Sequence, residues 1–192
     1  MSALFFDIDT QLDFLYPSGA LYVPGAERVV PNIARLNRYA AAHNIPVIST
    51  TDAHAEHDPE FRTWPPHCVA GTIGQHKAEA TLLDRRVVIP NRPCDLACEG
   101  AQQIIVEKQH VDVFTAPNLK LLIDRIPADR YVVYGVVTEI CVLFAARGLL
   151  KTGKPVVVVT DAVETLNAAN SARALDEVTA GGGSLARTAD FC

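Results

Sequence analysis

No cluster of basic residues interrupts this 192-residue sequence; its 17 lysines and arginines are scattered among 22 acids, for a net charge of −5. A nucleic acid or an anionic membrane surface would call for a concentrated positive patch, so neither partner is expected. No apolar run reaches the roughly 20 residues that a membrane-spanning helix needs. The opening MSALFFDIDTQLDF has no basic lead-in and meets its first acid at Asp7, unlike a secretory signal. Cysteines are few, odd in number and irregularly placed (Cys68, Cys94, Cys98, Cys141, Cys192). That argues against a disulfide framework and for a reducing, cytoplasmic setting. Also missing are a GxGxxG turn after a strand, a P-loop, internal repeats and low-complexity tracts. Without a phosphate cradle, nucleotide binding has nothing to rest on.

What is present is an ordinary globular balance, 49% hydrophobic and 20% charged, long enough for one domain covering 1–192 with a substantial core. Short apolar, β-branched runs occur at 3–8, 45–50, 104–107, 131–137 and 155–160, with SLART at 184–188 as a weaker sixth. The runs YVVYGVV and PVVVVT are nearly continuous in apolar residues, as strands covered on both faces would be. Helix-like segments lie between them at 25–43, 117–126, 140–152 and 170–179, while 92–100 reads as an irregular excursion. The alternation predicts an α/β fold: a three-layer α/β/α sandwich, Rossmann-like, around a mostly parallel six-stranded sheet.

Reactive groups in such sheets collect beyond the carboxyl ends of the strands. Asp9 follows the first run, Asp52 and His54 the second, Lys108 the third, and Val137 to Cys141 the fourth. Cys141 is placed at the start of a helix, where free N–H groups and the helix dipole would lower a thiol pKa and stabilise an oxyanion. A small buried hydrophobe would serve equally well there. Asp9 is a candidate base for that thiol, or a turn-capping aspartate. Lys108 would hold and tune both charges, or simply be a solvated lysine.

Residues 51–72, TDAHAEHDPEFRTWPPHCVAGT, concentrate histidine and aspartate in what looks like loop. Asp52-x-His54 places two side chains on the same side of an extended segment, and His67, thirteen positions later, would complete a three-ligand set with open positions. His57 is a candidate fourth ligand or a neighbour of the ligands. A polar turn rich in histidine is the competing reading. Cys68 would point away from His67 and is assigned to packing, and Cys94-x3-Cys98 lacks a second pair for a metal. Trp64, the only tryptophan, and Phe14 are candidate walls for a flat ring.

Three motifs, Asp9-x-Gln11-x-Asp13-Phe14, Lys108 after a middle strand, and Val-Thr-Glu-Ile-Cys141-Val, together resemble the isochorismatase-like cysteine hydrolases. TDAHAEH followed by WPPHCVAGTIG is similar to the metal-binding nicotinamidase (pyrazinamidase) branch of that family. The resemblance implies a catalytic triad of Asp9, Lys108 and Cys141, and one divalent ion (zinc, iron or manganese) on Asp52, His54 and His67. It also implies a cis Val136–Val137 peptide, an oxyanion hole from the amides of Val137 and Cys141, and a pyridine ring held by Phe14, Trp64 and Phe114. The nucleophile motif reads TEICV where that branch often carries TDxCV.

The expectation is therefore a metal-containing cysteine amidohydrolase that converts nicotinamide, or a close heteroaromatic amide, to the acid and ammonia. The partner is a small-molecule amide, and the resemblance implies a homo-oligomer. Two alternatives stay open: an amidase of the same fold acting on another small amide, and a non-catalytic small-molecule-binding protein.

Overall fold

The computed structural model describes residues 2–192. Strands β1 (Ala3–Ile8), β2 (Val47–Asp52), β3 (Arg86–Ile89), β4 (Gln103–Lys108), β5 (Arg130–Val136), β6 (Val156–Glu164) and β7 (Ser184–Ala186) form one parallel sheet. Their order is β3-β4-β2-β1-β5-β6-β7. The helices are α1 (Leu12–Leu15), α2 (Val30–Ala42), α3 (Leu119–Arg125), α4 (Leu143–Leu150) and α5 (Ala168–Ala180). None is long and apolar enough to cross a membrane among the described residues.

The sheet has seven strands where six were expected. The additional one, β3, is a four-residue edge strand whose first three residues are not fully buried. Squeezed between Arg85 and Pro90, RVVI is too short and too polar at its flanks to stand out by periodicity. Strand β2 also runs two residues further than its apolar stretch, to Asp52, because Thr51 and Asp52 keep pairing with Glu107 and Lys108 of β4.

Every residue of β1 is buried, so helices cover both faces of the sheet there. On one face Phe5 stacks on Tyr39 of α2, and Tyr134 of β5 donates its hydroxyl to Asn37 of α2 at 2.6 Å. On the other, Phe6 packs edge-on against Tyr131. From β1 the chain steps to β2, goes out to the edge strand β3, comes back to β4 between them, then crosses β1 to place β5, β6 and β7 on the opposite side. The order reverses between β1 and β5, which is where a crevice opens in sheets of this kind. Gly135, at φ 119°, lets β5 pass so close to Ile8 that a Cβ would meet the Ile8 carbonyl oxygen at 2.1 Å. The chain ends that follow β1 and β5, carrying Asp9 and Cys141, are drawn together at that crevice.

Candidate active site

Asp9 comes directly after β1 with a left-handed backbone, φ 49°, which short polar residues tolerate better than most. Its N–H donates to Thr50 O at 3.2 Å, and the Thr50 hydroxyl donates to its Oδ1 at 2.5 Å. The other oxygen, Oδ2, lies 2.9 Å from Lys108 Nζ, at ion-pair distance although off the hydrogen-bonding direction. Lys108 ends β4 directly opposite Asp52 of β2 and donates to Asp52 Oδ1 at 2.5 Å and to Cys141 Sγ at 3.7 Å. The lysine is completely buried. Burial alone would push its pKa down, but Asp52, Asp9 and Cys141 outweigh it and hold the ammonium well above the usual lysine range.

Cys141 lies in a single π-turn, Thr138–Val142, that precedes α4 rather than in the helix itself. The Val136–Val137 peptide is cis, and Val137 caps the turn. The expected low thiol pKa does not hold. Burial pushes the Cys141 thiol well up, Lys108 pulls against it, and the Asp9 and Asp52 carboxylates add to the rise. A thiol shifted in that direction would need a base beside it to react as thiolate.

The histidines are assembled by a short parallel bridge between His54 and Val69. His54 N–H donates to Cys68 O at 3.1 Å, and Ala70 N–H to His54 O at 2.9 Å, which carries His67 next to His54. Their rings are 4.8 Å apart, and both flank the ring of Phe61. Asp52, His54 and His67 are buried and present ligand atoms within 4.8 Å of one another. Both ring nitrogens of His54 are buried without a hydrogen-bond partner: Nε2 is 3.9 Å from Asp52 Oδ2, and Nδ1 is 3.1 Å from Asp58 Oδ2 but off the hydrogen-bonding direction. His67 Nδ1 bonds to Pro65 O at 2.8 Å, which makes Nδ1 the donor and frees Nε2 as an acceptor. Burial lowers the pKa of His67, keeping it neutral as a ligand must be. A carboxylate, two imidazoles and orphaned buried nitrogens fit a divalent cation. Asp52 itself is pushed up to about 6, mainly by burial and against the pull of Lys108.

His57 is not part of this cluster. It sits exposed on the turn that Asp58 N–H closes onto Ala55 O, and Asp58 rather than His57 approaches His54. Phe114 is also elsewhere: its ring is pressed against Gly148 of α4, so closely that a Cβ there would meet it at 2.1 Å. Three residues earlier in the same segment, Val111 lines the pocket instead. Phe14 and Trp64 do line it, together with Cys141, Asp52 and His67. Glu60, on the turn Pro59–Arg62, lines the pocket too and was not picked out from the sequence. Burial raises its carboxyl pKa, with His54 opposing. Among several acids in an aperiodic loop, only its seven-residue lead on His67 distinguished it.

In the sequence Gln11 stands out only as part of the Asp9-x-Gln11-x-Asp13-Phe14 motif. Its side chain clamps the backbone of Asp52: Nε2 donates to Asp52 O at 2.8 Å and Oε1 accepts from Asp52 N–H at 2.7 Å. Asp13 similarly accepts the N–H of Cys68 at 2.7 Å, so the Asp9–Asp13 stretch holds the segments of Asp52 and His67–Cys68 as well as presenting the Asp9 carboxylate.

The family model described as isochorismatase domain matches residues 2–190. The chain belongs to the isochorismatase family. It is similar to the N-carbamoylsarcosine amidase of an Arthrobacter species, 24% identical over 156 residues and covering 78% of this chain. This chain spans about half, 55%, of that relative's length. Among solved structures, the pyrazinamidase/nicotinamidase of Streptococcus mutans UA159 aligns with a TM-score of 0.82 and 25% identity over 96% of this chain and 100% of its own. The pyrazinamidase of Pyrococcus horikoshii in complex with zinc gives 0.81 and 26% over 97% and 99%. An isochorismatase-family sheet of this kind agrees with the fold expected from the strand pattern, with β3 added.

Proposed function

We propose that this protein is a cysteine amidohydrolase acting on an uncharged heteroaromatic amide, nicotinamide being the first candidate. The observation that carries the reading is Lys108, whose one ammonium touches Asp9, Cys141 and Asp52 and so joins a nucleophile and its base to the cluster of possible metal ligands.

In this mechanism Asp9 takes the proton from Cys141 Sγ as the sulfur attacks the carbonyl carbon. The amides of Val137 and Cys141 hold the developing oxyanion. Asp9 returns the proton to the leaving nitrogen, releasing ammonia and a Cys141 thioester. Asp9 then removes a proton from an attacking water, and the acid departs as the thiol reforms. Lys108 remains charged throughout and offsets the negative charge that moves between Asp9 and sulfur. A zinc, iron or manganese ion on Asp52, His54 and His67 would supply a Lewis-acidic anchor for a ring nitrogen. Phe14 and Trp64 offer apolar faces to the ring.

The relative acting on N-carbamoylsarcosine suggests a second class, amides that carry a carboxylate. The lining favours the first: it includes the acids Asp52 and Glu60 and, among the described residues, no lysine or arginine. Ammonia release from nicotinamide and from carboxylate-bearing amides, with Cys141→Ala as blank, separates the two. Release from nicotinamide that vanishes in Cys141→Ala supports the reading; turnover of anionic amides alone would replace it.

A further inference from the structure

The mechanism above leaves Glu139 unused, although it stands two residues before the nucleophile. Its half-buried side chain grips the loop that follows β6. Glu139 Oε2 accepts the Thr165 hydroxyl at 2.6 Å, and Oε1 accepts the N–H groups of Leu166 at 3.1 Å and Asn167 at 2.9 Å. Beside it, Thr138 donates its hydroxyl to Glu164 O at 2.8 Å. Two consecutive side chains of the turn bearing Cys141 therefore hold the last residue of β6 and the first three residues of the loop. Asn167 in turn caps α5, accepting the Asn170 N–H at 3.0 Å.

That loop carries Leu166, which lines the substrate pocket while remaining 42% exposed. A leucine so exposed has little packing of its own to hold it. Its place is set by the backbone from Thr165 to Asn167, where one carboxylate accepts the N–H groups of Leu166 and Asn167 in charge-assisted bonds, the latter N–H being shared with the Thr165 hydroxyl oxygen at 3.1 Å. Glu139 does not itself line the pocket; it borders the outer depression where Leu166, Trp64 and Ile140 also meet.

We infer that Glu139 is a specificity-determining positioning residue: by binding Thr165, Leu166 and Asn167 it fixes Leu166 as the outer wall of the pocket at a set distance from Cys141, admitting a flat, ring-sized amide. The inference rests on the amidase reading for its substrate, but not for the contact itself.

The test combines amide hydrogen exchange with kinetics on the full chain. In Glu139→Ala the amide of Leu166 loses protection by about tenfold or more and that of Asn167, which keeps the Thr165 hydroxyl oxygen, by less, while β1 and β5 are unchanged. KM for nicotinamide rises about five- to twentyfold and kcat stays within about twofold. Glu139→Gln, whose amide oxygen still accepts both N–H groups, restores KM. In a Leu166→Ala background, Glu139→Ala adds nothing further to KM, as a shared cause requires. Glu139→Asp, one methylene short, shows the same pattern at smaller amplitude should Glu139→Ala fail to fold. Unchanged exchange at 166 and 167, or an equal KM penalty with and without the Leu166 side chain, overturns the inference. Exchange needs no substrate, so a protein that hydrolyses no amide would end the amidase reading and still decide whether Glu139 holds the loop.

Discussion

Lys108 faces Asp52 across neighbouring parallel strands, Nζ to Oδ1 at 2.5 Å, with both side chains buried. The same ammonium reaches Asp9, so one cation compensates two carboxylates, all three side chains buried where bulk solvent screens little. Lys108→Met would leave both acids buried and unpaired. Removing one partner of a buried pair costs about 3–5 kcal/mol, and turnover should fall by at least about a hundredfold. Denaturant unfolding beside ammonia release measures both, and a variant as stable as the parent would contradict the shared-charge account.

Cys141→Ala should lose all turnover yet bind metal as the parent does, because the sulfur is not one of the clustered ligands. Asp9→Asn should be nearly as inactive. It keeps the shape but cannot take the thiol proton, and the thiol is one that burial holds protonated. Retained activity in either variant would end the mechanism.

Metal affinity should fall on acidification. With its pKa raised to about 6 by burial, the Asp52 carboxyl takes a proton below that pH, and each proton displaced costs about tenfold per pH unit. The sign for stability without metal is opposite. A carboxyl with a raised folded-state pKa contributes stability below its unfolded value, and that contribution is lost as pH rises through about 6. Competition titrations of zinc or manganese between pH 5 and 8 would show the first trend, and unfolding of chelator-treated protein the second.

Gln11→Ala removes both clamps on the Asp52 backbone and leaves a buried N–H and C=O unpaired. About 2–3 kcal/mol of stability and about ten- to a hundredfold in metal affinity should be lost, with His54 and His67 intact. Full metal affinity in this variant would show that Asp52 is held by other means.

Phe114→Ala tests a correction. Because the ring packs against Gly148 rather than the pocket, KM for an amide should change less than about twofold while stability drops by about 1–3 kcal/mol. A large KM effect would return Phe114 to the substrate.

Much of the site was legible because its chemistry lies at strand ends, where apolar runs stop and polar residues begin. Asp9, Lys108 and Cys141 could each be placed on the same rim before any coordinates, since a parallel sheet sends all its carboxyl ends one way. His57 misled because spacing along a loop carries no direction: the turn closing at Asp58 faces it outward. Glu60 was passed over for the same reason. Phe114 was carried by resemblance to a position that Val111 occupies. The Cys141 pKa was misjudged because a helix start is visible in sequence whereas burial beside two carboxylates is not.

The sequence by itself determined the strand-and-helix alternation, the absence of a phosphate cradle and the stock of reactive side chains, all of which follow from local composition and period. Only the tertiary structure decided which of them meet. The Asp52–Lys108 register, the bridge joining His54 to the segment of His67, the Gln11 clamp and the Glu139 grip on Leu166 all join residues far apart in sequence. Such contacts depend on how the strands are ordered and how closely their backbones pass, and no local pattern encodes that.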